Sequence, residues 1–133
     1  MLDIVFSDAG VPTTGTLILP AFASDENVNR IKGVDEATGT VLARAAKAAG
    51  FRFGQGETCV VLAPGAAYDR GIRLGLGALD GDAAGIERAG VAAARALSTE
   101  KVGGADVHVG AGALAPSALG SVALGMVLAS YGF

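Results

Sequence analysis

Short runs of apolar and β-branched residues along this chain predict five strands. The first two, Leu2–Ser7 and Thr16–Pro20, are separated by a segment with two glycine residues and one proline. Later runs predict strands at Thr58–Ala63, Ile72–Leu76 and Asp106–Val109. The run Thr58–Ala63 is almost entirely apolar and is bounded by Gly and Pro, which is typical of a strand covered on both faces. We therefore expect it to be a central strand of a sheet.

Between these strands, apolar residues recur at a spacing of three and four, which predicts helices. The first helix begins at Asp35, whose carboxylate can cap the first turn, and ends at Gly50. A second helix follows Asp80 or Asp82, either of which can cap it. Its apolar face consists of Ile86, Ala89, Ala93 and Leu97.

The last 27 residues, from Val107 to Phe133, contain no Asp, Glu, Lys or Arg. A third helix is predicted here from Pro116 to about Tyr131, which leaves too few residues for a typical membrane span. We therefore favour a buried helix over a membrane helix. Leu119, Val122 and Met126 are expected to pack on the sheet, whereas Leu124, Leu128 and Tyr131 require a further covering surface.

The element order β-β-α-β-β-α-β-α predicts the class of fold. Strands that alternate with helices indicate a mainly parallel or mixed sheet with helices on both faces, a three-layer α/β/α sandwich. The length of 133 residues fits a single domain spanning 1–133. Alanine and glycine together make up 48 residues, so the helices should lie close to the sheet.

Charge and cysteine content exclude several classes of function. The formal net charge is −3, which argues against a dedicated nucleic-acid binder or a protein of anionic membranes. The single cysteine forms no internal disulfide, and the sequence shows no Cys/His cluster for a metal. With no secretory signal at the start, a reducing, cytoplasmic location is expected.

One glycine-rich segment resembles a phosphate-binding motif. Gly110–Ala115 matches G-x-G-x-x-A between a predicted strand and helix, where backbone N–H groups can hold a pyrophosphate. No acidic residue follows Asp106, so the ribose-binding carboxylate of a dinucleotide site is missing. A tight turn is therefore the favoured interpretation.

The remaining polar candidates each have a structural explanation. His108 has no nucleophile beside it in sequence and is interpreted as a residue on a strand face. Cys59 lies in an apolar run and is expected to be an inert buried thiol without a cationic neighbour. Asp80 and Asp82 are helix caps rather than paired catalytic or metal-binding carboxylates. The basic cluster is interpreted as a solvated helix end; it consists of Arg44, Lys47 and Arg52.

Three segments in this order resemble the N-terminal domain of the leucyl (cytosol) aminopeptidase family. They are Val34–Thr58, Arg70–Leu79 with its RGIRLGLGAL, and the closing ALGMVLASYGF at Ala123–Phe133. Ala78 and Gly132 depart from the family pattern, because Lys and Arg are usual there.

The resemblance implies a macro-domain-like fold and a non-catalytic role. Family members remove N-terminal residues from peptides using two divalent metals, zinc or manganese, held by a C-terminal catalytic domain. The signatures of that domain are absent from this sequence, so no catalytic, cofactor-binding or metal-binding residue is assigned to the chain. The resemblance also implies that the parent protein is a hexamer and that this domain serves assembly or substrate access. Some bacterial members of the family bind DNA, but the negative net charge of this chain disfavours DNA binding here. We expect Phe133 to lie at a domain boundary and the chain to be part of a longer protein.

Two other hypotheses remain open. The chain could be a free-standing macro-like module that binds ADP-ribose or another nucleotide through its glycine-rich loops. Alternatively, it could be an isolated hydrolase that uses His108. Calorimetric titration with ADP-ribose tests the first, and release of leucine from leucine p-nitroanilide tests the second.

Overall fold

The computed structural model describes residues 3–7, 15–22, 36–65, 68–77, 83–101, 104–108 and 116–130. Within these ranges the elements follow the predicted order. The strands are β1 (Asp3–Ser7), β2 (Thr16–Ala21), β3 (Thr58–Gly65), β4 (Tyr68–Gly75) and β5 (Gly104–His108). The helices are α1 (Glu36–Ala48), α2 (Ala83–Thr99) and α3 (Pro116–Ser130).

The described strands form one mixed sheet in the order β1-β5-β2-β4-β3. Its first four strands are parallel, with β2 in the middle between β5 and β4. β3 pairs with β4 in the antiparallel direction and is an outer strand. The mixed sheet is confirmed.

The expected central position of Thr58–Ala63 is wrong. Only two residues separate β3 from β4, too few for a crossover between parallel strands, so the pair forms a hairpin with β3 outermost. Cys59 and Val61 are buried beneath α1, but Val60 and Leu62 on the other face are 37% and 66% exposed. The apolar run therefore reflects one buried face and one partly solvated face.

Two separate apolar cores lie on opposite faces of the sheet, which confirms the three-layer α/β sandwich. On one face α2 and α3 cover strand residues including Ile18, Ile72 and Val107. On the other face α1 packs through Leu42 and Ala46. The predicted apolar face of α2 is buried in the first of these cores; it comprises Ile86, Ala89, Ala93 and Leu97.

The end of α1 follows the prediction at Gly50. This glycine has φ +69°, and its N–H donates to the carbonyl of Lys47 at 3.1 Å. The next N–H, of Phe51, donates to the carbonyl of Ala46 at 2.9 Å. This is the hydrogen-bond pattern of a glycine-terminated helix, and it directs the chain back across the sheet.

Helices α2 and α3 are in backbone contact. A Cβ on Gly125 would collide with the carbonyl of Glu87, and one on Gly90 would collide with the carbonyl of Val122. Glycine at both positions lets the two helices approach more closely than side chains would permit. The position of α3 on the sheet is therefore fixed by main-chain contact with α2.

Candidate functional site

The segment Phe51–Glu57, here called the crossing loop, lies against the carboxyl end of β4. The Gly56 N–H donates to the Gly75 carbonyl at 3.0 Å, and the Gly75 N–H donates to the Glu57 carbonyl at 2.8 Å. A Cβ on Gly75 would collide with the carbonyl of Gly54. Ligands of open α/β sheets generally bind beyond the carboxyl ends of the strands. At β4 the chain's own backbone takes up that space.

Side chains hold the crossing loop in this position. One carboxylate oxygen of Glu57, Oε1, accepts hydrogen bonds from the N–H groups of Arg52 at 2.7 Å and Gly54 at 3.3 Å. Beneath the loop, Arg73 is only 4% exposed, and its guanidinium carbon lies 4.9 Å from the centre of the Phe53 ring. The stacking of a buried guanidinium on an aromatic ring favours a fixed loop. Neither contact is predicted from the sequence, because the spacing of residues along a strand can indicate the face on which Arg73 lies but not what covers that face.

Cys59 is buried, as predicted, and Arg73 and Glu57 both affect the pKa of its thiol. Burial raises the pKa of the Cys59 thiol above its ordinary value, and the Glu57 carboxylate adds to the increase. The expectation that no cation is nearby is wrong, since Arg73 lowers the pKa in part. Because burial is the largest of these effects, the thiol stays protonated at neutral pH and is a poor nucleophile.

Of the candidates His108, Asp80, Asp82 and the segment 110–115, the structure describes the backbone of His108. His108 is the last residue of β5 and pairs in register with Ser7 of β1. Asp80, Asp82 and the glycine-rich segment 110–115 lie outside the described residues. Their interpretation as helix caps and a tight turn stays a prediction.

Two of the three predicted basic residues share one exposed face of α1. Arg44 and Lys47 border a shallow, open depression of about 280 Å³ together with Thr40 and Ala43. The side chain of Arg52 is exposed. The backbone N–H of this residue donates the hydrogen bond to the Glu57 carboxylate described above. These exposed positions agree with a solvated helix end.

The buried face of α3 agrees with the prediction at Val122 and Met126, both fully buried. On its outer face, Leu124 is 49% exposed, as expected, and so is Val127 at 45%. Leu128, by contrast, is half-buried. At this turn the exposed residue is therefore Val127, one position before the predicted Leu128. Leu119 and Tyr131, the remaining predicted positions, lie outside the described side chains.

The described part of the chain contains no group of three or more His, Cys, Asp or Glu side chains that could hold a metal ion. The metals implied by the resemblance therefore have no fitting donor set among these residues. None of the described helices has the length and hydropathy that a membrane span requires.

These observations define a three-layer α/β domain whose described residues contain no cluster of metal-binding side chains. Residues 18–133 match the cytosol aminopeptidase family, N-terminal domain. The chain belongs to this family, and the part of the family that it matches is the N-terminal domain.

A solved structure supports the same fold. A mutant of tomato leucine aminopeptidase matches with a TM-score of 0.68 and 20% sequence identity. The match covers 98% of this chain but only 28% of the tomato protein. No curated protein matches the sequence significantly.

Proposed function

We propose that the chain is the non-catalytic N-terminal accessory domain, residues 1–133, of a metal-dependent leucyl aminopeptidase. The observation that carries this proposal is the family match, which extends over residues 18–133 and is specific to the N-terminal domain. In the proposed parent, the reaction that releases N-terminal amino acids belongs to a C-terminal domain with two divalent metals, zinc or manganese. The accessory domain serves assembly and access of substrate.

The described geometry fits an accessory role. The crossing loop fills the carboxyl end of β4 with backbone, and the buried Cys59 thiol is protonated at neutral pH. The domain exposes apolar surface on α3, at Leu124 and Val127, that another domain could contact. Family membership supports the further proposals that the parent is a cytoplasmic homo-hexamer and that the domain is macro-like.

An activity assay tests the proposal directly. Purified chain and the full-length protein are each incubated with leucine p-nitroanilide and Zn²⁺ or Mn²⁺, with a chelator as control. We expect metal-dependent release of leucine by the full-length protein and none by residues 1–133. Metal-stimulated release by the isolated chain would overturn the non-catalytic assignment.

Titration calorimetry with ADP-ribose distinguishes the alternative of a free-standing nucleotide-binding module. An accessory domain gives no binding heat at micromolar concentrations of ADP-ribose. Micromolar affinity of the isolated chain for ADP-ribose would favour the nucleotide module instead.

A further inference from the structure

An exposed apolar stripe runs along the outer face of α3. It consists of Gly120, Leu124 and Val127, which recur at helical spacing and are all exposed. A Cβ on Gly120 would meet nothing within 4 Å, so the surface there is open. We call these three residues the α3 stripe. In water each exposed apolar side chain has an unfavourable hydration free energy that a covering surface removes.

The covering surface must itself be apolar where it meets the stripe. α3 contains no Asp, Glu, Lys or Arg, whereas α1 exposes Arg44 and Lys47, and α2 exposes Arg88 and Arg95. A charged partner would lose hydration at the stripe without gaining a countercharge. The chemistry of α3 therefore differs from that of the other two described helices and selects an uncharged contact.

The stripe is presented on a rigid support. On the opposite side of α3, Gly125 lies against the carbonyl of Glu87, and Met126 is fully buried in the core. Because main-chain atoms of α2 and α3 are in contact, the stripe cannot shift without separating the two helices. A partner that covers it is held in a fixed orientation relative to the sheet.

We propose that the α3 stripe is the docking surface for the catalytic domain of the same polypeptide. This inference rests on the proposed function, in which that domain follows residue 133, close to the end of α3. Stable association of separate molecules requires about 800 Å² buried on each partner, more than a stripe with two large side chains provides. A domain in the same chain needs less, because the linker gives it an effective concentration in the millimolar range.

Cysteine labelling measures whether the stripe is covered. The variants Leu124→Cys and, as a matched control, Leu62→Cys each add one exposed thiol, while native Cys59 is buried and reacts slowly. Each variant is made in residues 1–133 and in the full-length protein, and its rate of reaction with a maleimide is measured. We expect the Leu124 site to react at least about tenfold more slowly in the full-length protein, because docking must open before labelling. The Leu62 site should react equally fast in both.

The outcomes separate this inference from the proposed function. Equal rates at the Leu124 site, in a full-length protein with metal-dependent aminopeptidase activity, would overturn the inference and leave the function standing. A full-length protein without aminopeptidase activity would contradict both the proposed function and this inference. Protection that increases with protein concentration, in residues 1–133 or in the full-length protein, would identify a second copy as the partner. Equal slowing at the Leu62 site would show that the effect is not specific to the stripe. If Leu124→Cys does not fold, Val127→Cys provides the same test.

Discussion

Gly125 of α3 lies directly against the backbone carbonyl of Glu87 in α2, with no room for a side chain between them. One turn earlier on α3, the carbonyl of Val122 takes the equivalent place against Gly90 of α2. The two helices thus meet through main-chain atoms at two points, each of which requires glycine on one helix.

Replacing Gly125 with alanine should destabilise the protein. The new methyl group forces α2 and α3 apart, and such overpacking costs about 1–3 kcal/mol. The free energy of unfolding, measured by urea denaturation, should fall by this amount. Gly120→Ala is the matched control on the same helix: its side chain is accommodated, and the higher helix propensity of alanine should raise the free energy of unfolding by up to about 1 kcal/mol. Equal effects of the two substitutions would contradict the close helix contact.

Gly75→Ala should displace the crossing loop. The Gly54 carbonyl packs directly against Gly75, so a methyl group at Gly75 would collide with it. We expect the free energy of unfolding to fall by about 1–3 kcal/mol. The control is Gly54→Ala, whose Cβ meets only Glu57 Oε1, at 4.0 Å. Limited proteolysis within Phe51–Glu57 should accelerate in the first variant and not in the second.

The carboxylate of Glu57 should matter for its hydrogen bonds. Glu57→Ala leaves the N–H groups of Arg52 and Gly54 without this acceptor, at a cost of about 1–2 kcal/mol in unfolding free energy. Glu57→Gln retains a carbonyl oxygen at the same position and should retain most of the stability. Were both variants equally unstable in thermal denaturation, the negative charge rather than the acceptor geometry would be responsible.

The protonation of Cys59 should contribute to the pH dependence of stability. The unfolded thiol loses its proton near its ordinary pKa of 9.0, whereas the folded thiol, with its raised pKa, retains the proton to higher pH. Folding is therefore favoured by this group below pH 9.0, and the contribution is lost as pH rises through the folded pKa. Unfolding free energies measured between pH 7 and 10.5 should decline more steeply for the natural protein than for Cys59→Ala. Parallel profiles would contradict the raised pKa.

Helical spacing and turn residues were sufficient to predict the order of the elements and the layers. The apolar positions Ile86, Ala89, Ala93 and Leu97 determine how α2 lies on the sheet, and all four are buried. Gly50 ends α1 because the left-handed backbone conformation there favours glycine. Such signals lie within a few residues of the structure they specify, and can therefore be recognised in one sequence.

Contacts between distant segments could not be predicted in the same way. The position of β3 depends on its pairing with β4, and the two-residue link between these strands is visible only in the structure, because the predicted strands ended at Ala63 and resumed at Ile72. The burial of Arg73 depends on Phe53, twenty positions earlier, and on how the crossing loop folds back over β4. No local pattern encodes either contact.

The irregular end of β3 has a consequence for solubility. An outer strand exposes backbone groups on which a strand of another molecule can pair, and exposed Val60 and Leu62 make such pairing more favourable. After Leu62, Ala63 has φ +48°, the pairing with β4 shifts register, and Pro64 has no N–H to donate. On this edge of the sheet a second molecule can therefore pair regularly only along Thr58–Leu62, and so short a stretch limits edge-to-edge pairing through β3.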